Sequence, residues 1–478
     1  MSDIRYVGMD VHKSQITVCI IDATGRIVQR CEIPLTRGRL ESFASKRLRA
    51  ADQVALEATT NCWAVVEILK PRVARVVVSN AMATKAIAQS KVKTDKVDAQ
   101  VLAELLRCDY LPSVWHPDTA TQHLRQLTGR RASLVQDRTG VRNRIHSVLA
   151  MRLVVEPEGG LFTAAGLQWL EDALVQLDAV GQKLIRSDLA LLQTLDQQIA
   201  AFDDELFQRA YQEQRVQLLL TLPGVNVTVA ESVLAALGDL DRFSTPDAAA
   251  SYLGLVPSTR QSANHCYHGP ITKQGNAQAR WMLIEAAQNV GRHPGPLGHF
   301  FRRMKRRKNH NVAIVAVARK LVVIAWHMLR NNEPYRYAQP QTTATKLANL
   351  RIRATGQRRR GGVPKGEKPA AKLPGGSVTI KALDRVYQQE GLPARQPLTP
   401  GEQRTVRATE SARFVESLAH DRVVPRGHAT QALPETTPTD KDPPQDDARP
   451  ARVRSSASKS ASSKTKIQKS PRKSAGPT

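Results

Sequence analysis

The sequence predicts an α/β amino-terminal domain on a mixed sheet, a long α-helical middle, a mainly α third unit and a disordered basic tail. Three observations predict it. Strand-length apolar runs crowd residues 4–33 and then alternate with helical stretches as far as residue 110. Within residues 115–211, Leu and Ile recur at steps of three and four, the period of a helix face. From about Tyr337 the composition shifts toward Arg, Lys, Ser and Pro, which bury little core. These shifts put boundaries at 1–112, 113–215, 216–335 and 336–478.

The first domain is organised around Tyr6-Val7-Gly8-Met9-Asp10-Val11-His12-Lys13, an apolar strand with a carboxylate in its middle. Burying an unpaired charge is costly, so Asp10 either meets a cation or catalytic partner or caps the turn that follows. Runs at 4–11, 15–21 and 26–33 read as three strands, with Ala23-Thr24-Gly25-Arg26 turning between the last two. A helix at about 37–50 leads to the strand Gln53-Val54-Ala55-Leu56-Glu57, and a helix around Trp63 to Lys70 leads to a strand at 73–78. Two more helices are expected, from Ala81 and from about Asp95 to Cys108. Three strands in succession followed by strand and helix in alternation is the order of an RNase H-like sheet.

On that order Glu57 ends the fourth strand beside Asp10. Asp95 and Asp98 are three apart at a helix start and share one face, with Thr94 as the N-cap. Two carboxylates so placed repel each other. A Mg²⁺ ion between them and the sheet carboxylates accounts for the pair; ordinary acidic bias in a first helical turn accounts for Asp95 alone.

In the helical middle, Arg125, Arg130, Arg131, Arg138, Arg142 and Arg144 flank an apolar stripe that includes Leu134, Val141 and Ile145. That flank either faces solvent or tracks phosphates. After Gly159-Gly160 a second helix is expected from about Leu167 to Tyr211. Its Leu192, Leu195, Ile199, Phe202 and Leu206 form a coiled-coil seam that closes on the first helix or on a second chain.

In the third unit, Leu222-Pro223-Gly224-Val225 before a helix near Val229 is similar to a helix-hairpin-helix turn, which exposes backbone N–H groups to phosphate; a plain connector fits as well. Then comes a polar loop in which Ser262 stands among Arg260, His265, His268, Lys273 and Arg280. Cations at that density can hold a phosphate through its pentavalent transition state. The serine is either a turn hydroxyl or, assisted by a base or metal, a nucleophile. His265-Cys266-Tyr267-His268 lacks a second ligand pair nearby, so these side chains read as phosphate or base contacts. Helices are expected at about 277–291 and 310–330. Between them Arg302-Arg303-Met304-Lys305-Arg306-Arg307-Lys308 sets six cations around one methionine, a nucleic-acid face.

The chain has 478 residues, with 70 Lys and Arg against 43 Asp and Glu, a net charge of +27. Such a field calls for a polyanionic partner. Val312 to Leu329 is apolar but carries Arg319, Lys320 and His327, which makes it a core helix rather than a membrane span, so nucleic acid is the expected polyanion. The beginning of the chain has no signal-peptide apolar core, so a cytoplasmic, chromosome-associated protein is expected. Five cysteines without a CxxC pair fit a reducing compartment and no zinc set. Residues 341–478 contribute 27 Lys and Arg against 12 Asp and Glu, and this tail is either a non-specific nucleic-acid arm or a dispensable extension with one short helix near Ile380 to Gln389.

Asp10, Glu57, Asp95 and Asp98 lie in Gly8-Met9-Asp10-Val11-His12-Lys13, Leu56-Glu57-Ala58-Thr59 and Lys93-Thr94-Asp95-Lys96-Val97-Asp98-Ala99. They resemble the Asp-Glu-Asp-Asp set of the DEDD transposases of bacterial insertion sequences, whose amino-terminal domain is RuvC-like. Gly254-Leu255-Val256-Pro257, Ser262, Gly269-Pro270-Ile271-Thr272-Lys273-Gln274-Gly275-Asn276 and Arg280 resemble the carboxy-terminal transposase domain of the same family. The resemblance spans roughly residues 4–335. It implies two divalent ions, Mg²⁺ or Mn²⁺, on the four carboxylates, and Ser262 as a nucleophile that forms a phosphoserine with a DNA strand. It also implies a structured guide RNA, encoded beside the gene, that pairs with donor and target DNA. The family usually has glycine after this serine; here Ala263 follows, which keeps Ser258 as a second candidate.

Some 160 residues separate Asp98 from Ser262, so a shared site needs either a chain that folds back or protomers that exchange domains. A homo-oligomer, dimer or tetramer, is therefore expected on DNA. Rival readings are a sugar kinase or actin-like ATPase, a Holliday-junction-type nuclease using the carboxylates alone, and a non-catalytic nucleic-acid-binding descendant of a transposase. The first of these needs a second glycine-rich phosphate loop, and Gly269 to Gly275 fits one poorly.

Overall fold

The computed structural model describes residues 4–87, 94–263, 265–357 and 377–425. Its first part is a mixed five-stranded sheet. The elements are β1 (Tyr6–Val11), β2 (Gln15–Ile21), β3 (Ile27–Pro34), α1 (Arg37–Arg47), β4 (Gln53–Glu57), α2 (Cys62–Leu69), β5 (Arg75–Ser79), α3 (Ala81–Ile87) and α4 (Asp95–Arg107). The strand order is β3-β2-β1-β4-β5, antiparallel through β3, β2 and β1 and parallel through β1, β4 and β5.

Strand alternation assigns the two faces. Val7, Met9, Val11, Val54 and Leu56 bury against Leu40 and Phe43 of α1 and Val65, Val66 and Leu69 of α2. On the opposite face, Ala55 and Val77 pack with Leu102 and Leu106 of α4, and Cys19 and Ile21 with Ala99 and Ala103. Helix α4 comes so near β1 that a Cβ on Gly8 would stand 1.9 Å from the Ala99 carbonyl oxygen. At the far end of the sheet Arg5 reaches Asp52 with two hydrogen bonds, at 2.9 and 2.6 Å, and Asp52 is fully buried. This paired fork holds β1 against the start of β4 and so fixes which residues end up side by side at the other end.

The middle contains α5 (Thr119–Ala150), α6 (Ala164–Ala173) and α7 (Ala179–Gln212). The single helix expected from Leu167 to Tyr211 is broken, because a 3-10 turn at Leu174–Gln176 leads to Asp178, whose carboxylate accepts from the Gly181 N–H and starts α7. Of the two partners open to the α7 seam, the first helix of the same chain takes it: Leu134, Val141, Ile145 and Leu149 pack with Ile185, Leu192, Leu195 and Ile199.

The third part comprises α8 (Gln214–Leu220), α9 (Val227–Leu237), α10 (Pro246–Tyr252), the hairpin strands β6 (Pro257–Ser262) and β7 (His265–Ile271), α11 (Ala277–Gln288), α12 (Pro296–Arg307) and α13 (His310–Arg330). Helix α9 is buried along almost its whole length at the centre of the largest core. Helix α13 is long and apolar enough to cross a membrane, yet it buries Val317, Ala318, Leu321 and Val322 in that same core. The Leu222–Val225 turn is closed off: a Cβ on Gly224 would meet the Ala286 carbonyl oxygen of α11 at 2.1 Å, so this glycine serves helix packing rather than an open phosphate loop.

Glu231 of α9 is fully buried and ion-paired with Arg209 of α7. Burial pushes its carboxyl up to about 7, against the pull of Arg209. A folded acid that holds its proton above the unfolded value stabilises most below about 4.5, and that contribution fades as pH rises through about 7. Replacing Glu231 by Gln is therefore expected to remove a slope worth about 3 kcal/mol between those limits. Denaturant titrations at pH 5 and pH 8 check this, and an unchanged slope would contradict it.

The assignment of residues 336–478 to a disordered tail fails for 336–357 and 377–425. Helix α14 (Pro340–Thr355), β8 (Ser377–Ile380), α15 (Leu383–Glu390), α16 (Pro400–Arg407), α17 (Ala412–Ser417) and β9 (Arg422–Pro425) follow α13. Leu347, Leu350, Leu383, Tyr387, Phe414 and Leu418 join the main core, and the Tyr387 hydroxyl donates to the Tyr335 carbonyl at 2.6 Å. The short helix expected near Ile380 to Gln389 is α15; the other helices contribute only a few apolar residues amid many charges, so composition hides them. Residues 358–376 and 426–478, which carry the rest of the expected tail, lie outside the described residues.

Candidate functional site

The acidic site forms where β1 and β4 end and α4 begins. Met9 pairs with Leu56 in parallel register, so the next residues, Asp10 and Glu57, are neighbours on adjacent strands, and alternation turns both toward the α4 face. Thr94 caps α4 by accepting from the Val97 N–H, which sets Asp95 and Asp98 in the first turn. The close contact at Gly8 brings that turn over β1. Asp10, Asp95 and His12 offer ligand atoms that all lie within 4.8 Å of one another. Asp98 is near enough for its charge to act on Asp10.

Burial holds the Asp10 carboxyl above the usual carboxylate range; His12 opposes this, and the negative charges of Asp95 and Asp98 add to it. Carboxylates crowded around Asp10, half open to solvent at a helix start, suit a divalent cation in chemistry and in charge. Reasoning from sequence missed His12. Its signal was there: it stands two residues after Asp10, so strand alternation puts both side chains on one face. Its Nε2 lies 3.1 Å from Asp10 Oδ2 and 3.3 Å from Asp95 Oδ2.

Ser262 is in a different setting. The polar loop expected there is the β6–β7 hairpin, with Ser262 as the last residue of β6 and exposed. The register pairs Ser262 with His265 and Arg260 with Tyr267, so these four share one hairpin face. Thr259 and His268 occupy the other face, joined by a 3.0 Å hydrogen bond. Ala263 has φ +48°, in the left-handed region that favours glycine. Ser258 lies inside the hairpin, its Oγ close enough to Gly269 to block a Cβ there at 2.5 Å. His12 and Asp95, the residues grouped with Asp10 as possible ligands, both come from the sheet domain.

Two family models match. One of DEDD type, described as a transposase, covers residues 7–151, and one described as the IS116/IS110/IS902 transposase family covers residues 216–302. Together they take in the acidic site and the serine hairpin. The chain belongs to the IS110-type family of insertion-sequence transposases. It is similar to the transposase for insertion sequence element IS1111A of Coxiella burnetii, 26% identical over 70% of this chain and 92% of that protein. A probable family 20 transposase of Pseudomonas aeruginosa is 26% identical over 69% of this chain and 98% of its own length. A pilin gene-inverting protein of Moraxella lacunata is 25% identical over 69% of this chain and 97% of its own.

In this transposase the expected nucleic-acid cations divide into two groups. Arg131 donates to Asp203 at 2.6 Å, Arg138 to Asp196 at 3.0 Å and Arg144 to Asp188 at 2.7 Å. These pairs run antiparallel up the α5–α7 seam, so α5 spends these arginines on holding α7. Arg142 lies over the Phe162 ring at 4.8 Å. Arg280 donates to the Leu253 and Gln274 carbonyls, and Arg302 to those of Gly291 and His293. The other group is open to solvent: Arg130, Arg260, Lys273, Arg303, Arg306 and Arg307. Sequence alone could not separate the two groups, because the acids that occupy the first lie 44 to 72 residues away.

Residues 112–118 tie the sheet to the third part. Val114 N–H donates to the Val78 carbonyl at 2.7 Å, and Trp115 inserts beside Gly238, with the guanidinium of Arg242 4.2 Å from its ring. Gly238, at φ +59°, leaves the room that Trp115 fills.

Proposed function

We propose that this transposase cuts and rejoins DNA strands at the ends of its element, using an RNase H-like, RuvC-like carboxylate site in residues 1–112 and Ser262 as the nucleophile in residues 216–335. The observation that carries the reading is the convergence of Asp10 with Asp95 and His12 at one end of the sheet, with Asp98 in the same helical turn and Glu57 on the neighbouring strand. Asp10, Glu57, Asp95 and Asp98 would hold Mg²⁺ or Mn²⁺, which when bound supplies charge stabilisation at the scissile phosphate and a more acidic attacking oxygen.

The chain's own groups do the rest. Arg260, on the face of Ser262, meets the phosphate, and exposed Tyr267 offers a ring for a base to stack upon. The Ser262 Oγ–P bond forms as the bond to the departing strand oxygen breaks; the hydroxyl proton is lost and the departing oxygen takes one up. The left-handed backbone at Ala263 supports Ser262 over Ser258, because the family's glycine belongs at that conformation. Exposed Arg130, Arg303, Arg306 and Arg307 contact DNA or RNA backbone. The carboxylates and the serine meet through exchange between protomers of a dimer or tetramer, on DNA and with a structured guide RNA, in the cytoplasm. Inversion of a DNA segment, as the name of the Moraxella relative describes, fits the same chemistry.

The test is a plasmid carrying element ends and target, incubated with chain and co-purified nucleic acid. Ser262→Ala is expected to abolish any SDS-stable protein–DNA adduct and to cut rearrangement on the order of 10³-fold. Ser258→Ala should keep the adduct, and RNase pretreatment should stop the reaction. An adduct formed by Ser262→Ala would sink the serine assignment; indifference to RNase would sink the guide.

A further inference from the structure

We infer that His12 is a ligand of the acidic site, giving an imidazole nitrogen to the ion shared by Asp10 and Asp95, and that this nitrogen makes the site favour Mn²⁺ over Mg²⁺. The inference deepens the metal-dependent reading above and rests on it. Three observations carry it.

The first is the size of the triangle. His12 Nε2 stands 3.1 Å from Asp10 Oδ2 and 3.3 Å from Asp95 Oδ2, and the three donors lie within 4.8 Å of one another. Neighbouring ligands of an octahedral ion at about 2.1 Å are about 3.0 Å apart, and opposite ones about 4.2 Å. Little movement is needed to turn this triangle into a coordination edge.

The second is a mismatch in hydrogen bonding. One ring nitrogen carries at most one proton and serves one acceptor well, yet Nε2 faces two carboxylate oxygens at nearly equal distance. A single cation in contact with all three atoms satisfies what one proton cannot.

The third is how the residue is held. The His12 N–H donates to the Gln15 carbonyl at 2.9 Å, and its carbonyl accepts from Asn61 Nδ2 at 3.2 Å. Asn61 Oδ1 in turn accepts from the Thr59 hydroxyl at 2.8 Å. The backbone is thus fixed from both sides while the imidazole stays open to solvent, the opposite of a side chain kept for packing. Outer partners of this kind orient ligands at metal sites.

The chemical consequence is selectivity. Mg²⁺ takes oxygen ligands and keeps its waters, whereas first-row transition ions accept imidazole more readily. A site of carboxylates alone would discriminate little.

The experiment uses the full chain with Mn²⁺ or Mg²⁺ alone, by calorimetric titration and by pulsed electron paramagnetic resonance of bound Mn²⁺. Expected are a ¹⁴N coupling to bound Mn²⁺, its loss in His12→Ala, and a roughly tenfold weakening of Mn²⁺ in that variant with Mg²⁺ changed by less than about threefold. Asp10→Asn should lose both ions. If Asp10→Asn abolishes binding but the parent shows no ¹⁴N coupling, or if His12→Ala keeps the parent's Mn²⁺ to Mg²⁺ ratio, the role of His12 is refuted while the metal reading stands. If Asp10→Asn binds both ions like the parent, the metal reading falls and this inference with it. The ¹⁴N measurement on the parent chain does not depend on any variant folding.

Discussion

Asp10→Asn should reduce strand rearrangement on the order of 10³-fold or more while leaving the fold as stable as the parent or more so. The two halves of this result share one cause. Asn keeps the shape of Asp but not the charge, so it removes the carboxylate that β1 sets beneath α4. Burial already holds the Asp10 carboxyl above its usual range, so the folded chain binds its proton more tightly than the unfolded chain does. Its contribution to stability is then greatest in acid and falls as pH rises from the unfolded value through the raised one. At neutral pH the parent carries a strained charge that the variant lacks. A divalent ion should reverse the order: thermal melting in chelator should favour the variant, and in added Mn²⁺ only the parent should gain. The same shift predicts that apparent Mn²⁺ affinity, which needs the deprotonated carboxylate, begins to fall with acid above the range of an ordinary aspartate. A variant that rearranged DNA at the parent's rate, or that unfolded in chelator at neutral pH, would contradict the site.

The amino-terminal half was readable because its signals are local. Strand alternation at Tyr6–Val11 and the Thr94 cap are each set by residues within a few positions, and together they place Asp10, Asp95 and Asp98. Other features depend on partners distant in sequence, and no spacing announces them. Arg5 finds Asp52, Arg131 finds Asp203, and Trp115 finds Gly238 only once the chain has folded. A net charge of +27 suggested a broad phosphate-binding face, but many of the arginines counted in it are held by carboxylates or backbone carbonyls. Of the helices after α13, α15 was anticipated near Ile380 to Gln389, while α14, α16 and α17 were missed for a related reason: Leu347, Leu350 and Phe414 fill gaps in a core made largely by others. The signal for His12 is local as well, two positions after Asp10 just past the end of β1.

Gly8→Ala should prove as damaging as loss of a ligand, although Gly8 holds nothing. The added Cβ would stand 1.9 Å from the Ala99 carbonyl oxygen and 2.7 Å from the Ala103 nitrogen. Both are backbone atoms of α4, so no side-chain rotation relieves the clash; the helix must lift from β1 by more than an ångström. Overpacking of this sort costs about 3 kcal/mol where neighbours cannot yield. It also moves the first turn of α4, and with it Asp95 and Asp98, away from Asp10. Stability and metal affinity should therefore fall together, read by denaturant titration and by Mn²⁺ titration on one preparation. Gly38→Ala provides the contrast, because nothing lies within 4 Å of its would-be Cβ in helix α1. That change should stabilise by about 0.5–1 kcal/mol and leave Mn²⁺ binding alone. If Gly8→Ala bound Mn²⁺ as tightly as the parent, the close approach of β1 and α4 would not be what assembles the acidic site.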